Sequence, residues 1–103
     1  MTEKFTPGEW ATRPGNTTVL DKKSTPIAMV YRAECYRTKE ESFANAALIK
    51  AAPKMYKKLE EIANLFSTIS YRMLECKENK NANAYMRKSM EIQKLLAEAR
   101  GEE

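Results

Sequence analysis

The chain carries few groups that could make or break a bond and several that could hold an anion. Lys54, Lys57 and Lys58 follow Pro53 closely, and Arg32 and Arg37 stand upstream. Each arginine can grip a phosphate with its planar fork, or sit as a solvated rim charge. Trp10, Tyr31 and Phe43 are interleaved with these cations, and aromatic rings of this kind stack on bases. Trp10 can equally staple the meander to the helices, and Phe43 can equally serve the core. Asn45 has the donor and acceptor set that matches an adenine edge, or that bonds a sheet or caps a strand. Taken as one constellation, Trp10, Tyr31, Arg32, Arg37, Phe43, Asn45 and Lys54 suit a small nucleotide-type ligand.

Catalysis is disfavoured by composition. The 103 residues include no histidine, which removes the commonest general base near neutral pH and the usual zinc ligand. Cys35 and Cys76 are far apart and read as reduced packing residues. The sequence contains no Gly-rich phosphate loop, nucleophile elbow or acidic triad. The expectation is a binding protein with no catalytic residue, no cofactor and no metal.

Charge is mild and dispersed. The net charge is +4. Residues 1–37 carry six Lys/Arg against four acids, 38–80 eight against six, and 81–103 four against four. A duplex-binding protein concentrates its basic residues on one face, so nucleic acid is disfavoured as a partner. No apolar run approaches the roughly 20 residues that cross a membrane, and MTEKFTPGEW has no apolar stretch behind its charges. A cytoplasmic setting is expected.

The elements that position these residues form an α+β fold in one domain, with a β-meander over 1–37 and a helical part over 38–103. Pro7-Gly8, Pro14-Gly15-Asn16 and Pro26 punctuate β-prone runs, which predicts three antiparallel strands near 9–13, 17–20 and 27–32. Asp21 to Ser24 is the expected turn joining the last two. Thr38-Lys39-Glu40-Glu41 matches a capping box and starts a short helix. Pro53 is expected to end that helix and open a long one running to about Lys77, since proline disfavours the helical interior but suits a first turn. In this second helix Met55, Leu59, Ile62, Phe66, Ile69, Met73 and Cys76 make a heptad seam. A polar turn at 78–83 leads to a third helix near 84–100, closed by Gly101. The third helix is expected to fold back on that seam as an antiparallel hairpin, and the apolar surface it leaves uncovered predicts a homo-oligomer, dimer at least, with the second helix at the interface.

The run from Asn45 to Leu59, Asn-Ala-Ala-Leu-Ile-Lys-Ala-Ala-Pro-Lys-Met-Tyr-Lys-Lys-Leu, resembles a motif of small phage and prophage proteins. In those, Ala-Asn-Ala leads into Leu-Ile-Ala-Ala-Ala-Pro and then Glu-Leu-Leu-Glu-Ala-Leu. Their opening Thr-Pro-Gly-Pro-Trp is similar to Thr6-Pro7-Gly8-Glu9-Trp10. In size and architecture the chain is also similar to phage sponges that sequester the cyclic ADP-ribose signals of Thoeris immunity. Where relatives place Glu and Leu after the proline, this chain has Lys54, Lys57 and Lys58. Cations in a first helical turn oppose the macrodipole by about 0.3 to 1 kcal/mol each, so either an anion binds there or Glu60 and Glu61 pair with the lysines.

The function this implies is a phage anti-defence protein in the host cytoplasm that binds and sequesters a nucleotide-derived immune signal between subunits. The alternative is an inhibitor that docks on a host or defence protein through its helices. Weak nucleic-acid binding is a third possibility.

Overall fold

The computed structural model describes residues 5–13, 17–30 and 38–102. Three strands, β1 (Ala11–Thr12), β2 (Thr18–Leu20) and β3 (Pro26–Met29), precede two helices, α1 (Lys39–Glu75) and α2 (Asn79–Ala99). The strands form one antiparallel sheet in the order β1-β2-β3, so the expected α+β meander and helical hairpin are both present. The chain divides into two compact units, Met1–Met55 and Tyr56–Glu103.

In the first unit the sheet is held by its turns. The Asp21 carboxylate accepts the backbone N–H groups of Lys23 (2.8 Å) and Thr25 (2.9 Å). The Asp21 backbone also exchanges bonds with Ser24 and Thr25. This cage lets Ser24 adopt φ 64°, a left-handed conformation that is uncommon outside glycine. The register slips between Val19, opposite Ala28, and Leu20, opposite Pro26. The slip is a bulge at the point where a proline, lacking an N–H, opens β3. Beyond β3, Thr17 Oγ1 donates to the Val30 carbonyl (3.0 Å) and the Val30 N–H to Thr17 O (3.2 Å). Thr17, Val19, Leu20 and Val30 are buried, whereas Met29 points outward.

Helix α1 begins where the capping box placed it, with the Glu41 N–H donating to Thr38 Oγ1 at 3.1 Å. It does not stop at Pro53. The expected break, with a short first helix and a second one starting at the proline, is replaced by one helix of 37 residues that contains the proline. Pro53 removes a single bond, the one to the Ile49 carbonyl. The alanines, leucine and lysines on either side are strong helix formers, and the ring itself is buried. One lost bond in so long a run is not enough to end it.

The second unit is a tight hairpin. A Schellman motif ends α1, with the Lys77 N–H donating to Leu74 O (3.0 Å) and the Glu78 N–H to Met73 O (2.9 Å). Lys77 takes the left-handed position at φ 64°. Helix α2 therefore starts at Asn79, and the expected polar turn over 78–83 shrinks to Cys76–Glu78. Asn79, Asn81 and Asn83 favour turns in isolation, but Ala82 between them is wholly buried, and packing overrides propensity. The same motif closes α2 at Gly101, with φ 82° and bonds from Gly101 N–H to Glu98 O and from Glu102 N–H to Ala97 O.

Toward the hairpin turn the helix–helix seam is built from small residues, and at its open end from Tyr56 and Leu96. On α1 the buried row is Tyr56, Ala63 and Ser70, and on α2 it is Ala82, Ser89 and Leu96. The Ser70 hydroxyl donates to Ala82 O (2.7 Å) and the Ser89 hydroxyl to Ala63 O (2.9 Å). Ser67 Oγ lies 2.7 Å from Ser89 Oγ, and Gln93 Nε2 donates to Ser89 Oγ at 3.1 Å. At the open end Arg100 donates to the Tyr56 hydroxyl (2.8 Å) and pairs with Glu102 (2.7 Å). The seam expected through Met55, Ile62, Ile69 and Cys76 thus turns toward the neighbouring row. Met55 and Cys76 are exposed, while Leu59, Ile62, Phe66, Ile69 and Met73 are half-buried flanks. A hydroxyl reaches a facing carbonyl only where the backbones approach closely, and bulky side chains at the centre would hold them apart.

Two outcomes in denaturant titration check this account. Pro53→Ala restores the Ile49 bond and should raise stability by roughly 1 to 3 kcal/mol, with a gain in helical circular dichroism. Ser89→Leu inserts volume where none is free and should lower stability by about 1 to 3 kcal/mol or more.

Candidate functional site

The Thr6-Pro7-Gly8-Glu9-Trp10 stretch folds on itself. Gly8 sits at φ 90°, where a side chain would strain the backbone. The turn it makes brings the Trp10 indole N–H to the Thr6 carbonyl at 3.1 Å. Phe5 meets the Trp10 ring edge-on, with centroids 6.3 Å apart and planes at 87°, a favourable arrangement of ring quadrupoles. Trp10 is half-buried and staples its own turn.

Beside this turn lies the Asp21 cage, and between the two is an open cleft of about 430 Å³ lined by Thr6, Pro7, Gly8, Asp21, Lys22 and Lys23. The volume falls in the range of small-molecule sites, roughly 300 to 1,000 Å³. Lys22 and Lys23 are exposed and supply two cations. The Asp21 carboxylate is aimed at backbone amides. Glycine at position 8 leaves its wall of the cleft without a side chain, although a Cβ there would make only ordinary contact with Lys22 Cδ at 3.5 Å. An anion or a polar ring edge fits such a cleft. Neither lysine stands out in the sequence, where Asp21 to Ser24 reads only as a polar turn. The one available signal was the glycine of the preceding motif, whose left-handed turn forms the opposite wall.

The residues expected to bind are dispersed. Tyr31, Arg32 and Arg37 lie outside the described residues. Phe43 is half-buried, with Lys39 Nζ 5.8 Å from its ring centroid. Asn45 is half-buried on α1, and among the described residues its amide bonds neither the sheet nor any strand end. Lys54 is exposed, but it is not at a helix start. Because α1 runs through Pro53, the free N–H groups expected to hold a phosphate there are engaged within the helix. Lys58 pairs with Glu61 at 3.1 Å, the local pairing that was the alternative to an anion. Lys54 and Lys57 have no carboxylate within ion-pair reach among the described residues.

A second groove, of about 660 Å³, is lined by Lys94, Ala97, Glu98, Gly101 and Glu102. Next to it the Glu102 carboxylate, and then the Tyr56 hydroxyl, raise the Arg100 guanidinium above its ordinary range, so this latch stays charged whenever the protein is folded. Among the described residues no group of three acidic or sulfur side chains could hold a metal ion. No helix there is long and apolar enough to cross a membrane.

The profile of a family described as Salmonella phage P22 protein Y8K6 matches residues 1–103. This chain belongs to that family. Membership agrees with the small phage protein expected from the motifs. No curated protein matches the chain, and no solved structure does.

In this member of the Y8K6 family Asn45 occupies a helical position with no bond for its amide among the described residues, and alanine is the better helix former by about 0.5 kcal/mol. Asn45→Ala should therefore stabilise the free protein by about that amount in a thermal melt. Gly8→Ala should do the reverse, losing about 1 to 2 kcal/mol to the left-handed backbone.

Proposed function

We propose that this phage protein works by sequestration, holding a small nucleotide-derived immune signal in the host cytoplasm and returning it chemically unchanged. The observation that carries this reading is the cleft at Thr6–Gly8 and Asp21–Lys23, which combines a low glycine wall with two exposed lysines. A phosphate or pyrophosphate of such a signal would meet Lys22 and Lys23. The histidine-free composition supports binding over turnover. Large apolar residues left exposed on the single chain, among them Leu65, Met90 and Leu95, support assembly of several copies, so that ligand sites can be completed by a neighbour.

A second reading is favoured by one feature. Tyr71, Leu74 and Met90 are exposed and occupy rows next to Ser67 and Ser89, which meet at 2.7 Å. A surface of that kind suits docking on a host or defence protein.

Heating the protein with cyclic ADP-ribose isomers or cyclic dinucleotides separates the two. A tight ligand at a hundredfold excess over Kd should stabilise the fold by about 2.7 kcal/mol, and the ligand released afterwards should be unaltered. Lys22→Glu combined with Lys23→Glu should abolish the shift while leaving the ligand-free melt within about 0.5 kcal/mol. No shift with any nucleotide, together with a host protein recovered by pull-down, would establish the docking reading instead.

A further inference from the structure

We infer that the cleft at Thr6–Gly8 and Asp21–Lys23 recognises the phosphate part of a ligand alone and does not distinguish the base attached to it; this rests on the sequestration reading and names the chemical class that its site accepts. Among the described residues the lining is Thr6, Pro7, Gly8, Asp21, Lys22 and Lys23, which includes no aromatic ring. A base held by a protein is stacked on such a ring and read along its edge by matched donors and acceptors. The described rings of this unit are engaged elsewhere. The Trp10 indole donates to the Thr6 carbonyl and meets Phe5 edge-on, and Phe43 lies on α1 with Lys39 over its ring. Asn45, the amide that suits an adenine edge, is also on α1 and absent from the lining.

What the lining does offer suits a compact oxyanion. Lys22 and Lys23 are adjacent and exposed, and Thr6 adds a hydroxyl that can donate to an oxygen. The Lys22 stem runs against the glycine turn, with Cδ and Cγ 3.5 and 3.9 Å from where a Cβ on Gly8 would stand. The stem thus forms part of the wall while the ammonium stays in water. Two carboxylates stand close by. Asp21 turns Oδ1 to the N–H groups of Lys23 and Thr25, and Glu9, next to Gly8, is exposed and outside the lining. Because these acids offset the two lysines at a distance, attraction is confined to an anion held directly at the ammonium groups. Binding should then rise with the charge of the phosphate and fall with salt.

Calorimetric titration of the full chain at low salt with inorganic pyrophosphate, ADP, CDP, GDP and adenosine tests this. The expected result is that pyrophosphate and the three nucleoside diphosphates bind with Kd values within about threefold of one another, all weakened together by added salt. Adenosine should not bind. Lys22→Glu combined with Lys23→Glu should abolish every signal, and Lys23→Gln alone should weaken all the diphosphates alike, by roughly twofold to fivefold. The proposal is overturned if adenosine binds, if one base is preferred over another by about tenfold or more, if pyrophosphate is not bound, or if the double variant still binds it. Its failure is separable from that of sequestration. Pyrophosphate binding with no shift from cyclic ADP-ribose isomers or cyclic dinucleotides would sink sequestration alone, whereas a cyclic nucleotide that shifts the melt while pyrophosphate does not bind would sink only the phosphate reading.

Discussion

Two helix backbones come close enough for a serine on one to reach a carbonyl on the other only if no large side chain stands between them. That constraint organises the second unit. Ser70 on the Ala82 carbonyl and Ser89 on the Ala63 carbonyl are bonds between a side chain and a backbone that is already hydrogen-bonded along its helix. They use the second lone pair of each carbonyl, and among the described residues no buried hydroxyl is left unsatisfied. They also fix the register, because sliding by a turn would put large residues where the alanines and serines now stand. The flanking rows of isoleucine, leucine and phenylalanine are consequently pushed to the sides of the seam and remain half-exposed.

The first unit depends on turns in the same way that the second depends on its seam. Strands of two to four residues are too short to hold a sheet by their ladders alone. The Asp21 cage, the Thr17–Val30 pair and the Trp10–Thr6 bond supply the rest. Two of these three lie beside the cleft, so the groups that stabilise the sheet also shape its walls. A polar turn and a glycine turn facing each other make a shallow recess with two exposed lysines and without any of the long side chains expected to bind.

Helix α1 shows how local rules yield to their surroundings. Proline at position 53 removes one hydrogen bond and the chain absorbs it, with the ring buried and strong helix formers before and after it. The consequence for function is direct. A helix start exposes N–H groups that attract phosphate, whereas a helix interior has none to offer. The lysines after Pro53 are therefore solvated charges on a helix face, one of them paired with Glu61.

Much was legible in the residues themselves, because the governing interactions are local. The Thr38 cap, the Asp21–Ser24 turn and the Gly101 terminus all act within a few residues, and each stands where its residue types put it. The α+β class followed from these, and membership of a phage protein family agrees with the resemblance noted around Trp10 and Pro53. What only the tertiary structure decided was which row of a helix faces its partner and whether a break in propensity becomes a break in the chain. Periodicity marks an apolar stripe without showing its centre, and here the centre went to the smallest residues because backbone proximity, not side-chain size, set the hairpin's contact. The cleft was hidden for a related reason: its walls come from two turns separated in sequence, and nothing in either turn alone reveals the other.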